Sequence, residues 1–275
     1  MQTADYDIYQ MIIFLEAKME EDSIPWASGK GSKKSNEQKL LEALREYRTR
    51  QVGYEEKKEI LGERNSFSKT DPDATFMRMK DDHMQNGQLK PGYNVQLAVE
   101  SEYLIGVGLF PDANDMWTLK PMLENMYAFN PTMEIKRLIA DSGYESEENY
   151  IYIGSRRIKC YIKPSDCEQK KKRNFKKNIS KRENMDYDTE KDEYICANGK
   201  RLKPIYLTSK KSKSGYKSEI TVYECENCEG CPFKDKCTKA KGNRRMQVAK
   251  TFAAKRAESM ENITSELGAV LRLNR

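Results

Sequence analysis

The 275-residue chain has a single histidine, His83, and only two tryptophans. One histidine excludes a histidine-based metal site or catalytic triad within this chain. No apolar run approaches the roughly 20 residues needed to span a bilayer. The first residues lack a basic start followed by an apolar stretch, so no signal peptide is predicted. The seven cysteines are odd in number and four fall in one short segment, which disfavours a secreted disulfide framework. We therefore expect a soluble protein of the cytoplasm.

Charge, by contrast, is abundant. The chain has 49 Lys and Arg against 43 Asp and Glu, a net charge of +6, and 37% hydrophobic residues. Its length allows one large core or two smaller ones. The small positive excess matters for function only where the basic residues are clustered.

Residues 1–64 are predicted to be helical. Apolar residues recur at helical spacing over residues 3–21, and Ser35 with Gln38 forms a possible capping box that opens a long helix. The basic loop between the helices suits an arm that touches DNA. A helical hairpin that packs on the next domain is the commoner structure for such a pair.

Residues 65–164 carry the strand signals. Asp71 and Asp73 suit either a metal or a turn, and Asp73 is expected to cap a helical segment after it. Further on, two strands joined by a short acidic connection predict an antiparallel hairpin, and two later strands separated by helices predict parallel pairing. The predicted strands and helices are 94–99, 103–110, a helix opened by Asn114 or Asp115, 135–140, 146–154 and 158–162. This order predicts an α/β fold with one mixed sheet and helices on its faces.

Asp141 ends the buried strand 135–140, and Gly143 allows a sharp turn directly after it. Open α/β sheets place their chemistry outside the carboxyl ends of strands. Asp141 is therefore either a metal ligand or general base, or a residue that caps the turn. The residues alone leave both interpretations open.

Residues 165–245 are predicted to form a basic, β-rich insertion. A basic segment, residues 169–182, holds eight cations and no acid: Lys170, Lys171, Lys172, Arg173, Lys176, Lys177, Lys181 and Arg182. Such a run would bind a phosphate backbone in a salt-dependent way. The alternative is a solvated loop whose lysines keep the protein soluble. A second basic run, 209–217, lies at the tip of a predicted hairpin.

Four cysteines of this insertion fall within 13 residues, at spacings that let them converge on one ion: Cys225, Cys228, Cys231 and Cys237. Thiolates at these spacings favour tetrahedral zinc. An iron–sulfur cluster is the alternative, and unliganded cysteines in a vestigial loop are a third interpretation. After the insertion, residues 246–275 predict an amphipathic helix that includes Val248 and stops near Gly268.

Five separated motifs resemble the DDE transposases of bacterial insertion sequences, in the group with a cysteine-containing insertion before the final catalytic Glu. They are 68–80, 86–96, 140–149, the cysteine cluster, and 265–275, in the family's order. The resemblance implies an incomplete ribonuclease H-like mixed sheet with flanking helices. It also implies three carboxylates that hold two Mg²⁺ (or Mn²⁺) ions for attack on a phosphodiester.

By motif, Asp141 corresponds to the second of those carboxylates. The first would precede Met1 and the Glu would follow Arg275, so the resemblance implies an internal fragment that is inactive alone. Its partners would be transposon ends and target DNA, in a homo-oligomer or with full-length transposase, near the bacterial nucleoid. The alternatives are a non-catalytic DNA-binding remnant and a zinc-stabilised interaction module.

Overall fold

The computed structural model describes residues 2–29, 31–79 and 84–273, with side chains omitted for residues 2–4 and 272. His83 lies outside the described residues. The chain divides into two compact units, residues 1–93 and 94–275, and each is described by itself.

The first unit contains the two predicted helices, α1 Gln2–Glu21 and α2 Asn36–Leu61. The Ser35 hydroxyl accepts a hydrogen bond from the Gln38 backbone, as the capping box predicts. The Gln38 side chain does not return to the cap. It is fully buried, and it accepts from the Ala27 backbone N–H at 2.9 Å and donates to the Ala27 carbonyl at 2.8 Å. The two helices share an apolar cluster of Ile12, Leu15, Met19, Leu41 and Leu44.

The same unit also contains a short hairpin, β1 Thr75–Arg78 paired antiparallel with β2 Leu89–Gly92. The helical segment expected after Asp73 is therefore wrong. The Ala74 backbone donates to the Asp71 carbonyl at 3.2 Å and closes a turn, so the chain enters β1 in an extended conformation.

The second unit begins with the predicted α/β succession, and six elements form its first part: β3 Asn94–Glu100, β4 Tyr103–Phe110, α3 Leu119–Phe129, β5 Arg137–Ala140, α4 Glu147–Ser155 and β6 Lys159–Ile162. The antiparallel β3–β4 hairpin and the parallel β5–β6 pair are both confirmed. Pro121 falls in the first turn of α3, where its missing N–H removes no helical hydrogen bond.

In the described part of the chain, these strands do not form the predicted single mixed sheet. The hairpin β3–β4 and the pair β5–β6 are separate two-stranded sheets. One apolar cluster serves both, because Met122 and Met126 of α3 lie beside Gly106 of β4 while Ala140 of β5 belongs to the same cluster.

The two faces of the β3–β4 hairpin differ sharply in exposure. On the inner face, a Cβ added at Gly106 would meet the Met122 side chain at 2.9 Å, so glycine permits close packing of α3. The outer face exposes an apolar row made of Val95, Leu97, Val99, Val107 and Leu109. No described residue of the second unit covers this outer face.

The insertion folds around a five-stranded antiparallel sheet with strand order β11–β10–β9–β8–β7. Its elements are α5 Cys167–Lys171, α6 Arg173–Lys176, β7 Asp186–Asp188, β8 Glu193–Ile195, β9 Arg201–Lys211, β10 Lys217–Cys225, α7 Lys234–Cys237 and β11 Arg245–Val248. The predicted hairpin with a basic tip is β9–β10. Leu202, Tyr223 and Val248 are fully or almost fully buried and form a core that belongs to the insertion itself.

Two helices end the described chain, α8 Lys250–Thr264 and α9 Glu266–Leu273. The expected single helix from 246 is wrong at both ends. Val248 lies in β11, where it pairs with Thr221 of β10, and Gly268 lies inside α9. The break falls at Ser265 instead, whose extended backbone ends α8 and whose hydroxyl accepts from the Gly268 N–H at 3.1 Å.

Candidate functional site

Asp141 lies where the sequence places it, directly after β5. Ala140 pairs with Ile162 in the parallel β5–β6 ladder, and Asp141 follows as an exposed residue. Its carboxylate accepts from the Gly143 backbone N–H at 2.8 Å and caps the turn Ser142–Tyr144. The turn-capping interpretation is thereby confirmed, and the same carboxylate is exposed at the end of a strand.

A second carboxylate, Asp115, lies on the other side of Gly143. A Cβ at Gly143 would come within 2.9 Å of Asp115 Oδ2 and 3.0 Å of Asp141 Oδ1. The missing side chain therefore lets the two carboxylates approach the same glycine. An alanine at this position would force at least one of them to move.

Two amides of β3 hold Asp115 in place. Its Oδ1 accepts from Asn94 Nδ2 at 2.7 Å and from Gln96 Nε2 at 3.1 Å. Gln96 is buried, and its carbonyl oxygen accepts a hydrogen bond from the Tyr144 hydroxyl. This network links the start of the hairpin to the turn after Asp141.

The sequence pattern assigned Asn114 or Asp115 to a helix cap and therefore did not predict that Asp115 lies beside Gly143. Asn114 is the residue that caps, accepting from the Met116 backbone at 3.2 Å. Asn94 and Gln96 lie two residues apart, on one face of a strand, and this pattern was the available sequence signal for a polar network.

A charged cluster connects α8 to the turn that follows β5. Arg256 Nε donates to Glu145 at 2.6 Å, and its Nη2 donates to Asp166 at 2.6 Å. Burial lowers the pKa of Arg256, but the two carboxylates outweigh it and the net pKa is raised. Tyr150 also donates to Glu145, at 3.1 Å. Glu145 is almost fully buried, so these partners replace the water that its carboxylate loses.

Asp71 and Asp73, the earlier acidic pair, belong to the first unit. Asp71 accepts from the Tyr93 hydroxyl at 3.0 Å and from the Asp73 backbone at 3.3 Å. Burial, and then the hydrogen bond to Asp71, raise the pKa of Tyr93. This pair stabilises a turn, and the structure brings no third acid to it among the described residues.

The basic segment lies on the surface around α5 and α6. Lys170 pairs with Asp166 at 3.1 Å, Lys171 with Glu168 at 3.2 Å and Arg182 with Glu183 at 3.3 Å, while Lys181 lies over the Phe175 ring. The four remaining cations are exposed and have no ion pair in the described part of the chain: Lys172, Arg173, Lys176 and Lys177. The side chains of these four residues face solvent.

The tip of the β9–β10 hairpin contacts the core at the start of α4. Lys213 pairs with Asp112 at 3.0 Å, and the Tyr216 hydroxyl donates to Glu147 at 2.9 Å. Burial first, and then this hydrogen bond, raise the pKa of Tyr216 to about 12. Ser214 also donates to Glu148. The insertion is therefore attached to the core at its tip as well as through α8.

The four predicted cysteines lie around one small cavity of about 20 Å³, and a fifth, Cys196, lines it with them. All are free thiols. Burial, and then the side-chain hydrogen bond with Cys228, raise the pKa of Cys225 to about 12. As placed, no three His, Cys, Asp or Glu side chains within residues 2–29, 31–79 and 84–273 form a group that could hold a metal ion.

Arg244 is the main partner of the cysteine cluster. Its backbone N–H donates to Cys228 Sγ at 3.4 Å, and its guanidinium donates to Cys237 Sγ at 2.9 Å. The same guanidinium donates to the Ser180 carbonyl at 2.6 Å, at the end of the basic segment. No sequence pattern pointed to Cys196 or Arg244, because both lie outside the 13-residue cluster.

These features define a mixed α/β protein with an exposed carboxylate at a strand end and a basic insertion that contains a cysteine cluster. A family model described as a transposase DDE domain matches residues 195–275. The predicted resemblance to DDE transposases is thereby confirmed, over the second half of the insertion and the two final helices. Asp141 lies outside the matched residues.

No curated protein and no solved structure matches the chain. Within the described residues, the search for a helix long and apolar enough to cross a membrane finds none.

Proposed function

We propose that this chain is part of a DDE-type transposase that acts on DNA, with Asp141 as one of its catalytic carboxylates. The observation that carries the proposal is the transposase DDE domain match over residues 195–275. Asp141 supports it, because an exposed carboxylate follows the end of a parallel strand pair where α/β folds place their chemistry.

We propose a ribonuclease H-like arrangement for the core of the second unit. In this proposal the β3–β4 hairpin and the β5–β6 pair are two parts of one mixed sheet, with α3 packed against both. Both edges of each pair lack a partner strand among the described residues. A further strand between the pairs would satisfy the backbone groups of the two edges that face it.

Mg²⁺ fits the chemistry of Asp141. The ion prefers oxygen ligands and is held through one or two carboxylates while it keeps waters and phosphate oxygens. Asp141 would hold it, and Asp115, fixed by Asn94 and Gln96, would add negative charge across Gly143. When bound, Mg²⁺ or Mn²⁺ supplies activation of the attacking hydroxyl and stabilisation of the phosphate charge.

The described residues do not assemble three carboxylates, so we propose that the chain alone does not cleave DNA. The test incubates purified chain with Mg²⁺ or Mn²⁺ and transposon-end DNA, and we expect neither cleavage nor joining. Cleavage that Asp141→Asn abolishes would show that the chain carries a complete active site. Cleavage that survives Asp141→Asn would instead remove Asp141 from the proposal.

DNA binding is proposed to reside in the basic segment. The support is the set of four exposed cations without ion pairs, which would replace condensed counterions on a phosphate backbone. In a mobility shift at several salt concentrations, Lys176→Ala with Lys177→Ala should weaken binding. The slope of log affinity against log salt should fall by about 2.

The matched control replaces Lys239 and Lys241, two exposed lysines of the loop before β11, with alanine. This control should leave the salt slope unchanged. Equal weakening in both double variants would show that net charge, rather than the basic segment, carries the binding. No shift at any salt concentration would remove the DNA proposal and favour a metal-stabilised interaction module.

A non-catalytic DNA-binding remnant is the second candidate function. The absence of three assembled acids in the described residues favours it. Such a protein would regulate transposition by occupying transposon ends or by joining oligomers with full-length transposase. Its expected signature is a mobility shift without cleavage, and competition with an active transposase for the same DNA would separate it from an inert fragment.

The cysteine cluster is proposed to hold a metal ion, zinc rather than an iron–sulfur cluster. The support is the convergence of the predicted cysteines on one cavity and the N–H···S contacts from Arg244. A metal here would stabilise the insertion and take no part in the reaction. Metal analysis tests it, with visible absorbance as the sign of iron and sulfur.

A further inference from the structure

The basic segment and the basic β9–β10 hairpin are far apart in the chain, but they meet at one groove of the insertion. Arg182, the last cation of the basic segment, and Lys210 of β9 both line this groove, which has a volume of about 420 Å³. The rest of its wall comes from β10, β11 and the start of α8. The fold therefore joins two basic runs that the sequence shows as separate.

Hydrogen bonds hold the basic segment in place beside the groove. The guanidinium of Arg244, which precedes β11, donates to the Ser180 carbonyl at 2.6 Å. The side-chain amide of Asn184 donates to the Phe175 carbonyl of α6 at 2.6 Å. Arg182 lies between these two contacts in the chain, so its backbone is fixed relative to α6 and to the sheet. These contacts favour a structured surface over the solvated loop that the sequence left as an alternative.

The residues that line the groove include more cations than acids. Three are basic and one is acidic: Arg182, Lys210, Arg256 and Glu183. Arg256 pairs with two carboxylates that do not line the groove, and Arg182 pairs with Glu183 at 3.3 Å. Lys210 is exposed, lies opposite Ser218 of β10, and forms no ion pair within the described part of the chain. Lys210 is therefore the cation of this groove that a bound anion would neutralise.

The first turn of α8 adds backbone N–H groups to the groove. Phe252 and Ala253 of that turn line it, and so does Ala249, the residue before the helix. No side chain caps this helix start, and its first turn contains no acidic residue. The N–H groups of an uncapped helix start attract anions, and phosphate oxygens are common partners. The helix start thus adds partial positive charge to that of Lys210.

We propose that this groove binds the phosphodiester backbone of nucleic acid and extends the DNA-contacting surface from the basic segment to β9. The inference rests on the proposed DNA binding and adds a second contact region to it. A chain of phosphates suits the groove better than one small phosphate ligand does. The reason is that Arg182 connects the groove to two exposed cations at the end of α6, Lys176 and Lys177.

Two nearly isosteric substitutions test the groove, because they change its charge in opposite directions. Gln247 of β11 is exposed and lines the groove, so Gln247→Glu adds a carboxylate there, whereas Glu183→Gln removes one. Fluorescence anisotropy measures binding of the full chain to a labelled DNA duplex and to the corresponding single strand, at about 0.1 M salt. Gln247→Glu should weaken binding roughly five-fold, and Glu183→Gln should strengthen it by a similar factor. A unit charge about 4 Å from a phosphate changes affinity by about this much in water.

Asn198→Asp and Glu190→Gln are the matched controls. They make the same changes of net charge in the exposed turns β8–β9 and β7–β8 of the insertion, and neither residue lines the groove. Each control should change affinity by less than about two-fold, because salt screens charges that lie outside the contact. Equal changes in the groove variants and their controls would show that net charge alone acts, and would overturn the proposal. Unchanged binding in both groove variants would overturn it as well.

The failure of the groove is distinguishable from the failure of the proposed DNA function. If Lys176→Ala with Lys177→Ala weakens binding while neither groove variant changes it, the groove is excluded and the DNA proposal stands. If wild-type chain binds neither the duplex nor the single strand, both proposals fail. The expected opposite shifts, with either probe, would support the groove and identify the form of nucleic acid that it binds.

Discussion

The insertion and the core of the second unit use strands in opposite ways. The insertion places five strands in one sheet, and Leu202, Tyr223 and Val248 are buried on it. The core places four strands in two separate pairs and exposes the outer apolar face of the β3–β4 hairpin. The inserted region therefore has the larger and better covered sheet of the two.

The largest loss of stability is expected from a substitution at the centre of the insertion's core. Tyr223 is fully buried in β10, and its hydroxyl donates to Asp192 at 2.6 Å. Tyr223→Ala should reduce the free energy of unfolding by about 3–5 kcal/mol, as for other buried aromatic residues. Urea denaturation followed by circular dichroism measures the change. Tyr206 of the paired strand β9 is 52% exposed, so Tyr206→Ala should change stability by less than about 0.5 kcal/mol.

In the core, the residue that corresponds to Tyr223 is Arg256, which connects α8 to the turn after Asp141. Arg256→Ala would leave the buried carboxylate of Glu145 without its cation, and we expect a loss of roughly 3 kcal/mol. Lys255→Ala is the matched control, because Lys255 forms an ion pair with the exposed Glu258 and should cost less than about 1 kcal/mol. Thermal unfolding of both variants measures the difference. Equal losses would show that the cluster contributes no more than an exposed ion pair.

Acid should weaken the contact between the insertion and α8 before it unfolds either core. Burial raises the pKa of Asp192, but hydrogen bonds from Lys250, Tyr187 and Tyr223 outweigh it and the net pKa is lowered. A lowered carboxylate pKa contributes stability above the unfolded value of 3.8, and that stability is lost as the pH falls through the folded pKa. Unfolding measured between pH 6 and pH 3 should show a decline that Asp192→Asn reduces. An identical pH dependence in the variant would remove Asp192 as a cause.

The smallest effect on stability is expected on the exposed face of the hairpin. Leu97 is 61% exposed and pairs with Val107, which is also exposed. Leu97→Thr should therefore change the free energy of unfolding by less than about 0.5 kcal/mol, while it reduces self-association measured by light scattering. A large loss of stability would show that Leu97 is covered in solution.

Local sequence signals predicted the individual elements of the second unit well. Ser146 caps α4, accepting from the Asn149 backbone at 3.1 Å, and the short acidic connection joins β3 to β4. Spacing alone did not reveal where a helix becomes two, since Ser265 acts through its extended backbone. The spacing of apolar residues also did not show whether Val248 belongs to a strand or a helix, because a single apolar residue is compatible with both periodicities.

The site was predicted only in part, for a related reason. Asp141 and the cysteine cluster are contiguous motifs, and contiguity is visible in a sequence. Asp115, Cys196 and Arg244 join their neighbours through the fold, from positions about 26, 30 and 7 residues away from the motifs they complete. No periodicity marks such residues.

The attachment of the β9–β10 hairpin tip has a mechanical consequence. The insertion leaves the core after β6 and returns to it at α8, and Lys213 and Tyr216 add a third point of support beside α4. Attachment at three separated points restricts rotation of the insertion relative to the core, whereas attachment at a single point would allow that rotation. The basic segment proposed to bind DNA belongs to this insertion, so these attachments would restrict its rotation relative to α4.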